Sequence, residues 1–548
     1  MHGIAMKVAV VTVIKNEASD LPAWLAWYHT IGVDTIILFD DESDDHTYNI
    51  ARAASQCQDI RLLRTDAKLR SRTDRQSAAF REALALFGAK FNWMGFLDGD
   101  EYLHLRQDLS IKSFLARYPG ANGLGFSWCS YGNNGHVLKP RIPPFEAFTR
   151  HTAPWSCHNV IKSFVRPGKV GPQWLDTHRF DVEAPYIDAA GHHLDWTEHG
   201  CVAKPPDWSQ AKVMQFTGRS IEHLIDRLHR RPDLRLLSQE DLGGFGTNEI
   251  EDLSPLDKLS AIYQQILRID REVLKAFVNR CRQAAFAFRR EARERRSLPR
   301  LLAPLAQRLL SVIGTAPTAA APIVSPAADF HWIVSAFGTV LCADGITGEL
   351  LHATPDTIKL AGCHPVFAMR PLAEADIVFL ISSRSEIPLR IVRPVDPAIR
   401  VDFLREHRIG DILSYQAVSV AGDESARFSL RHPRTGRFIT AWPPMVDDPE
   451  GIGRVFVTRE VAMDWERFSL AKVHGLLGAL PQPEIVAELA SLPPKVLTSE
   501  GLFAWVSRGT PPSPAVFAAL LTFLPYRDQL NFMKAAPDAA LPDWMHYH

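Results

Sequence analysis

Apolar and polar positions alternate in a repeating way from Met6 to Asp100. The run Met6 to Ile14 is apolar and rich in β-branched residues, and it reads as a buried strand. Ser19-Asp20-Leu21-Pro22 follows, a helix start with a polar cap and an early proline. Leu21, Trp24, Leu25 and Tyr28 then fall at helical spacing. A second apolar run, Thr35 to Phe39, ends in the acidic turn Asp40-Asp41-Glu42-Ser43-Asp44-Asp45. A third, Ile60 to Leu63, precedes a helical stretch from Asp74 to Phe87, and a fourth, Trp93 to Leu97, stops at Asp98. Short strands alternating with helices predict an α/β domain with a mainly parallel sheet and flanking helices. In such sheets ligands bind beyond the carboxyl ends of the strands. Three of the four ends are polar: Lys15-Asn16-Glu17, Asp40 to Asp45, and Asp98-Gly99-Asp100-Glu101.

Beyond residue 120 the pattern becomes irregular and rich in His, Trp and Gly, as expected for the acceptor-side half of the same domain, taken to span 1–255. A helical extension is expected over 256–313, with a basic stretch at 289–296 that reads as a solvated face or a contact for phospholipid or an anionic acceptor. An Ala/Pro-rich linker at 314–328 separates it from a β-rich module, 329–472. That module contains an internal echo, Gly338 to Ala343 against Gly436 to Ala441, with room between the copies for a degenerate third; three-fold repetition of short strands suggests a β-trefoil. Its Trp442 and Trp465 suit either sugar stacking or core packing. Residues 473–548 read as helical and broken by proline.

Composition narrows the picture. Of 548 residues, 46% are hydrophobic and 22% charged, which is globular, and 61 basic against 62 acidic side chains give a net charge of −1. That balance argues against a nucleic-acid partner. Seven cysteines without a CxxC pair suggest reduced thiols. The N-terminus lacks a charged leader and cleavage site, and no apolar run reaches the ~20 residues that span a bilayer. A cytoplasmic protein, at most peripheral at the inner membrane surface, is expected.

Asp98-Gly99-Asp100 is the strongest chemical signal. Hard cations such as Mn²⁺ or Mg²⁺ take carboxylate oxygens and keep water and substrate phosphate as their other ligands. Two carboxylates around a glycine at a strand end can hold such an ion while the backbone stays near the ligand. Asp40 to Asp45 reads either as an acidic turn capping the next helix, with Asp45 or Ser43 as N-cap, or as a receiver of base and ribose hydrogen bonds. Glu17 has the same two readings.

Several further motifs occur in order: Arg75-Gln76, NWMGFLDGDEYL, WCSYGNNGH (128–136), Lys162 in HNVIKSF, His178 in DTHRF, GRSIEHLIDR (218–227) and TNEIEDLS (247–254). Together with VTVIKNEASDLPAWLAWYHTIGVDTIILFDDESDDHT, they resemble the family 2 type glycosyltransferases in the branch related to family 92, over about 10–255. The resemblance implies a GT-A fold, a nucleotide-sugar donor such as a UDP-sugar, a Mn²⁺ or Mg²⁺ ion, and a glycan or glycolipid acceptor. By position, Lys15, Glu17, Asp41, Ser43, Arg75 and Asp98 would face the donor. Trp128, His136, Lys162, His178 and Arg219 would line the pocket, with Asp98 and Asp100 on the metal. Relatives often carry His-Tyr where this chain has Gln215-Phe216, so a third metal ligand is open; His193, with His192 and His199 beside it, is the substitute considered. Inverting transfer needs a base in the acceptor half, and Asp195, Glu198 and Glu146 are the candidates among which the sequence does not choose. A catalytically silent nucleotide- or glycan-binding protein, or another nucleotide-using α/β transferase, stand as alternatives.

Overall fold

The computed structural model describes residues 6–140, 142–154, 159–197, 200–230, 248–293, 330–370, 376–384, 389–391, 408–410, 412–419, 427–433, 435–444, 451–472, 482–493, 496–507, 512–536 and 539–541. The chain divides into two compact units, one centred on Met1–Ile269 and one on Asp270–Pro394 and Glu406–His548. The division falls within the helix Leu259–Arg293, somewhat beyond residue 255, where the sequence pattern ends the first domain. The linker at 314–328 and positions 294–296 of the basic stretch lie outside the described residues.

In the first unit, strands β1 (Val8–Ile14), β2 (Thr35–Asp40), β3 (Ile60–Arg64), β4 (Trp93–Phe96), β5 (Glu101–Leu105) and β6 (Gly123–Ser130) are joined by later strands β7 (Arg150–His151), β8 (Ile161–Val165), β9 (Tyr186–Asp188), β10 (Ala211–Gln215) and β11 (Ile250–Glu251). The main sheet runs β3-β2-β1-β4-β8-β6-β10-β5, with β9 on β6. Its first four strands are parallel, as the alternation predicts. The rest is mixed, because β8 runs antiparallel to both β4 and β6, and β5 antiparallel to β10. The chain reverses its direction of travel across the sheet between β1 and β4. In open α/β sheets such a reversal point is where a crevice for ligands lies beyond the strand ends. Every residue of β1 is buried, as a parallel strand covered on both faces requires.

Helices α1 (Leu21–Thr30), α2 (Thr47–Ala54) and α3 (Arg72–Phe87) connect these strands. Asp20 and Pro22 start α1 as the sequence suggests. This helix is buried from Leu21 through Tyr28, so its polar atoms need internal partners. The Trp24 indole donates to the Asp98 and Glu101 carbonyls at 3.1 and 2.9 Å, and the Trp27 indole to the Leu103 carbonyl at 2.9 Å. The helix is thereby tied to the turn between β4 and β5. The cap of α2 differs from expectation: its N-cap is His46, while Asp45 accepts from the Thr47 amide at 2.8 Å and Ser43 bonds elsewhere. Shorter helices α4 (Ile111–Ala116), α5 (Pro144–Ala147) and α6 (Ile221–Arg230) complete the described part of this unit before Leu259.

The second unit is an antiparallel β structure with helices after it. Its strands are β12 (His331–Ser335), β13 (Val340–Ala343), β14 (Leu350–Ala353), β15 (His364–Met369), β16 (Ile377–Ser382), β17 (Leu389–Ile391), β18 (Arg408–Gly410), β19 (Ile412–Ser419), β20 (Phe428–Arg431), β21 (Phe438–Ala441), β22 (Gly453–Arg459) and β23 (Phe468–Lys472). Pairings β12–β15, β15–β16, β16–β19, β19–β20, β20–β23 and β23–β12 close a ring of six strands. The other six form the hairpins β13–β14, β17–β18 and β21–β22. Leu341 and Ala343, Leu389 and Ile391, and Ile439 and Ala441 enter one core from these hairpins. The sequence echo falls on β13 and β21, and the glycines that lead them, Gly338 and Gly436, both have left-handed φ, +73° and +70°. A second core joins Leu274 to Cys281 of the long helix with four helices between Pro483 and Ala535. Among the described residues no helix is long and apolar enough to cross a membrane, and no disulfide joins the six described cysteines to one another.

Candidate active site

The three polar strand ends meet at the β1/β4 crevice. The loops after β1 and β2 are stitched together by their own side chains. Ser43 Oγ accepts from the Asn16 amide at 3.0 Å, Asn16 Nδ2 donates to Asp44 at 2.6 Å, and Asn16 Oδ1 accepts from the Asp44 amide at 3.0 Å. Thr47 and Asp45 accept from the Glu17 and Ala18 amides at 2.8 and 3.1 Å. Much of the acidic turn is therefore scaffold. Asp41 is buried, and Arg75 grips both of its oxygens at 2.5 and 2.9 Å while the Thr65 hydroxyl donates at 2.7 Å. Burial opposes ionisation of Asp41, but the Arg75 and Thr65 bonds outweigh it and hold its carboxyl below the usual range. Lys15 is exposed at the rim.

The turn Asp98-Gly99-Asp100 is packed against the end of β1. A Cβ on Gly99 would lie 3.1 Å from Ile14 Cγ2, so glycine permits this close approach. Asp98 is not an open ligand. Gln76 Nε2 donates to one of its oxygens at 2.7 Å, and Lys162 Nζ to the other at 2.7 Å. Lys162, on β8 and 1% exposed, also reaches Glu101 at 3.2 Å, and Glu101 accepts from the Trp128 indole at 2.8 Å and the Asp98 amide at 2.9 Å. Burial raises both carboxyls. Lys162 more than reverses this for Asp98, which stays well below the usual range, whereas Glu101, facing Asp98 and Asp100 as well, is pushed up to about 8. His178 lies edge-on to Trp128 with ring centroids 5.8 Å apart, and burial with the neighbouring Lys162 charge holds it at about 4, hence neutral.

Asp100 differs from Asp98. The difference lies in partners, not exposure, since the side chains are 21% and 24% exposed: the ion-pair partner of Asp100, Arg227 of α6, stands off at 3.6 Å. Its carbonyl accepts from the Phe216 amide at 2.9 Å, while Gln215 lies opposite Glu101 in the β10–β5 ladder and accepts from Ser130 at 3.1 Å. Beside the crevice is a cavity of about 300 Å³ lined by Asn16, Glu17, Ser19, Asp20, Lys139, Arg219, His223 and Asp226. Arg219 bonds Asp20 and lies 3.3 Å from Glu17, and Lys139 bonds Ser19. Burial works against ionised Asp20, but Arg219 and Lys139 reverse it and keep the carboxylate charged. Asp20, His223 and Lys139 escaped the sequence reading. Asp20 had an adequate explanation as a helix cap, yet its side chain makes no capping bond and turns to Arg219.

The remaining candidates are spread more widely. His136 Nε2 lies 3.2 Å from the Ala147 carbonyl, at the start of the chain segment that meets α6. Glu146 accepts from Tyr263 Oη at 2.5 Å. Asp195 is an exposed carboxylate 3.4 Å from Lys204, and His193 is exposed. Glu198 and His199 lie outside the described residues. Among the described residues no group of three or more His, Cys, Asp or Glu is arranged to hold a metal ion. A caged metal does not fit these donors. An ion carried mainly by a substrate diphosphate and touching Asp100 does fit, since Mg²⁺-type ions commonly take one or two protein carboxylates.

Two curated proteins resemble part of the chain. A glycosyltransferase family 92 protein of Oryza sativa subsp. japonica is 25% identical over 255 residues, covering 45% of this chain and 41% of its own length. A family 92 protein of Arabidopsis thaliana is 25% identical over 269 residues, covering 45% and 43%. The chain thus spans about two-fifths of the curated relatives it matches. No family model matches it. Solved structures aligned with it include S. aureus TarS 1–349, at 15% identity over 48% of this chain and 82% of that one, TM-score 0.25. The same protein in complex with UDP-GlcNAc aligns at 15% identity over 30% and 46%, TM-score 0.21.

Proposed function

We propose that the first unit is a glycosyltransferase, moving a sugar from a nucleotide-sugar donor to a hydroxyl of a glycan or glycolipid. The observation that carries this reading is the meeting of the β1, β2 and β4 ends, with the half-buried Asp100 facing Arg227 and within electrostatic reach of Arg219. The likeness to family 92 glycosyltransferases over the same part of the chain supports it. Arg219, Arg227 and Lys139 supply positive charge suited to a diphosphate. Lys162 acts as a fixed buried cation that holds Asp98, and through it Gln76, in place. Asp100 would hold a divalent ion arriving with the donor; such an ion neutralises charge on the leaving diphosphate. Neutral His178 and the Trp128 indole border the Lys162 cluster. The acceptor base is proposed among Asp195, Glu198 and Glu146, and single amide substitutions at each will sort them.

We further propose that the β-rich part of the second unit is a β-trefoil. Its support is the closed ring of six strands, the three hairpins, and the three pairs of core positions they supply.

The test of the enzymatic reading is equilibrium binding of UDP and GDP to the full chain with and without Mn²⁺, followed by a search for nucleotide released from a panel of their sugars. Nucleotide binding with release from one or more donors is expected. Neither binding nor release would overturn the reading and favour a silent protein.

A further inference from the structure

The second unit carries a surface feature that the barrel does not need. Phe337, in the turn between β12 and β13, Trp442, just after β21, and Trp465, in the 3₁₀ turn before β23, come together from three separate segments. Trp465 lies 5.9 Å from Trp442 and 6.2 Å from Phe337, centroid to centroid. Phe337 stacks on the ring of His352 with 10° between planes, and Trp442 stands edge-on against Phe456. His352 is buried and held at both nitrogens, by Thr339 at 2.7 Å and the Trp442 carbonyl at 2.7 Å, so the floor is rigid. Phe337 and Trp442 are nevertheless each 40% exposed, with Met463 beside Trp465 at 61%.

The internal repeat shows what the fold itself asks for at these places. Aligning Gly338 with Gly436 sets Phe337 against Thr435 and Trp442 against Asp344. The backbone does the same job in both copies: the Trp442 amide donates to Arg454 and the Asp344 amide to Glu349, at 2.8 and 2.9 Å. In the other copy the side chains are ordinary turn formers, Asp344 accepting from the Ile346 and Thr347 amides. The turn backbone thus does not itself call for aromatic side chains at Phe337 and Trp442.

We propose that Phe337, Trp442 and Trp465 form a stacking platform for the pyranose rings of an uncharged glycan. An exposed, rigidly seated aromatic face offers the apolar surface that the C–H face of a sugar ring buries, at little cost in side-chain entropy. Three ion pairs lie on the same segments, Arg437 with Glu460 at 3.2 Å, Arg467 with Asp464 at 3.1 Å, and Arg459 with Glu466 at 4.0 Å, and Arg454 beside Trp442 is exposed. A neutral polyol can stack on such a face without charge, and an acidic control tests whether charge matters. The choice of a glycan rests in part on the glycosyltransferase reading of the first unit, so the test is made without any donor.

The full chain is run in native gels containing dextran, a β-1,3-glucan, a mannan, a galactan or, as an acidic control, alginate. At least one neutral polysaccharide is expected to retard it. Trp442→Asp and Phe337→Thr, which write the residues of the other copy, are expected to weaken retardation roughly tenfold or more, with the melting midpoint kept. Asp100→Asn is expected to be retarded like the parent, which separates this site from the first unit. Absence of retardation by every neutral polysaccharide, or equal retardation of Trp442→Asp, would overturn the platform. So would sedimentation showing that Trp442→Asp turns a dimer into a monomer, because the face would then be a contact between copies.

Discussion

Replacing Lys162 by Met removes a buried ammonium from beside a carboxylate that is itself 24% exposed. Its Nζ lies 2.7 Å from Asp98 and 3.2 Å from Glu101, and its side chain is 1% exposed. At neutral pH Glu101, raised to about 8, is largely protonated, so the charge left uncompensated is that of Asp98. Met fills most of the volume, which isolates the electrostatic loss from a cavity. Breaking a buried pair by deleting one partner costs about 3–5 kcal/mol, and the partial exposure of Asp98 sets the expectation at the lower end, about 3 kcal/mol. In a unit of this size that corresponds to a melting shift of roughly 10 °C. The assay is thermal unfolding by circular dichroism of the parent, Lys162→Met, Asp98→Asn and the double variant. Asp98→Asn keeps the acceptor for Gln76 while discharging the site, so the double variant should recover about 2 kcal/mol or more relative to additivity. A Lys162→Met protein melting with the parent, or additive losses in the double variant, would refute the view that this lysine is bound to Asp98 as its counter-charge.

Other consequences follow from the same network. Arg75→Ala strips the buried Asp41 of its guanidinium clasp and should cost about 3 kcal/mol or more in urea unfolding, whereas Asp41→Asn should cost clearly less; equal losses would show that the clasp is not electrostatic. The buried Lys212–Asp252 pair, 2.6 Å apart and joined by the Tyr131 hydroxyl at 2.6 Å, sets a pH dependence. Burial raises the Asp252 carboxyl, but the bonds from Lys212, Ser254 and Tyr131 leave it well below its unfolded value. Its stabilisation is therefore complete above about pH 4 and is lost as the pH falls through the depressed native value. The stability gap between the parent and Asp252→Asn should be widest near neutrality and close in acid; a gap unchanged from pH 7 to strong acid would contradict this.

The parallel part of the first sheet was legible because local pattern suffices for it. The β-branched run ending at Ile14, the Asp20-Pro22 helix start and the apolar run before Asp98 each specify an element within a few residues. The mixed half of the sheet was not, since β8 is threaded between β4 and β6 by pairings that no local pattern encodes. The site was legible in its polar strand ends but not in their assignments. Asp98 and Asp100 look alike in sequence and are about equally accessible; Lys162, 64 residues away, and Gln76 occupy both oxygens of the first, while the second has Arg227 at 3.6 Å. The acidic turn offers Ser43 or Asp45 as a helix cap or a ligand contact, and nothing local reveals that Asn16 takes Ser43 and that Ala18 shares Asp45 with Thr47. Asp20 was hidden in the same way, its partner Arg219 lying 199 residues further on. Charged side chains take their roles from whichever partner tertiary structure brings, and that information is spread over the whole chain.

The central claim is that the β1/β4 crevice, with Asp100 at its mouth, handles a nucleotide-sugar. The most direct test compares nucleotide release from UDP- and GDP-sugars by the parent chain and by Asp100→Asn in Mn²⁺, with melting curves alongside. The account expects release from at least one donor by the parent and a loss of about a hundredfold or more in the variant, at unchanged melting temperature. Equal release by both proteins would contradict it.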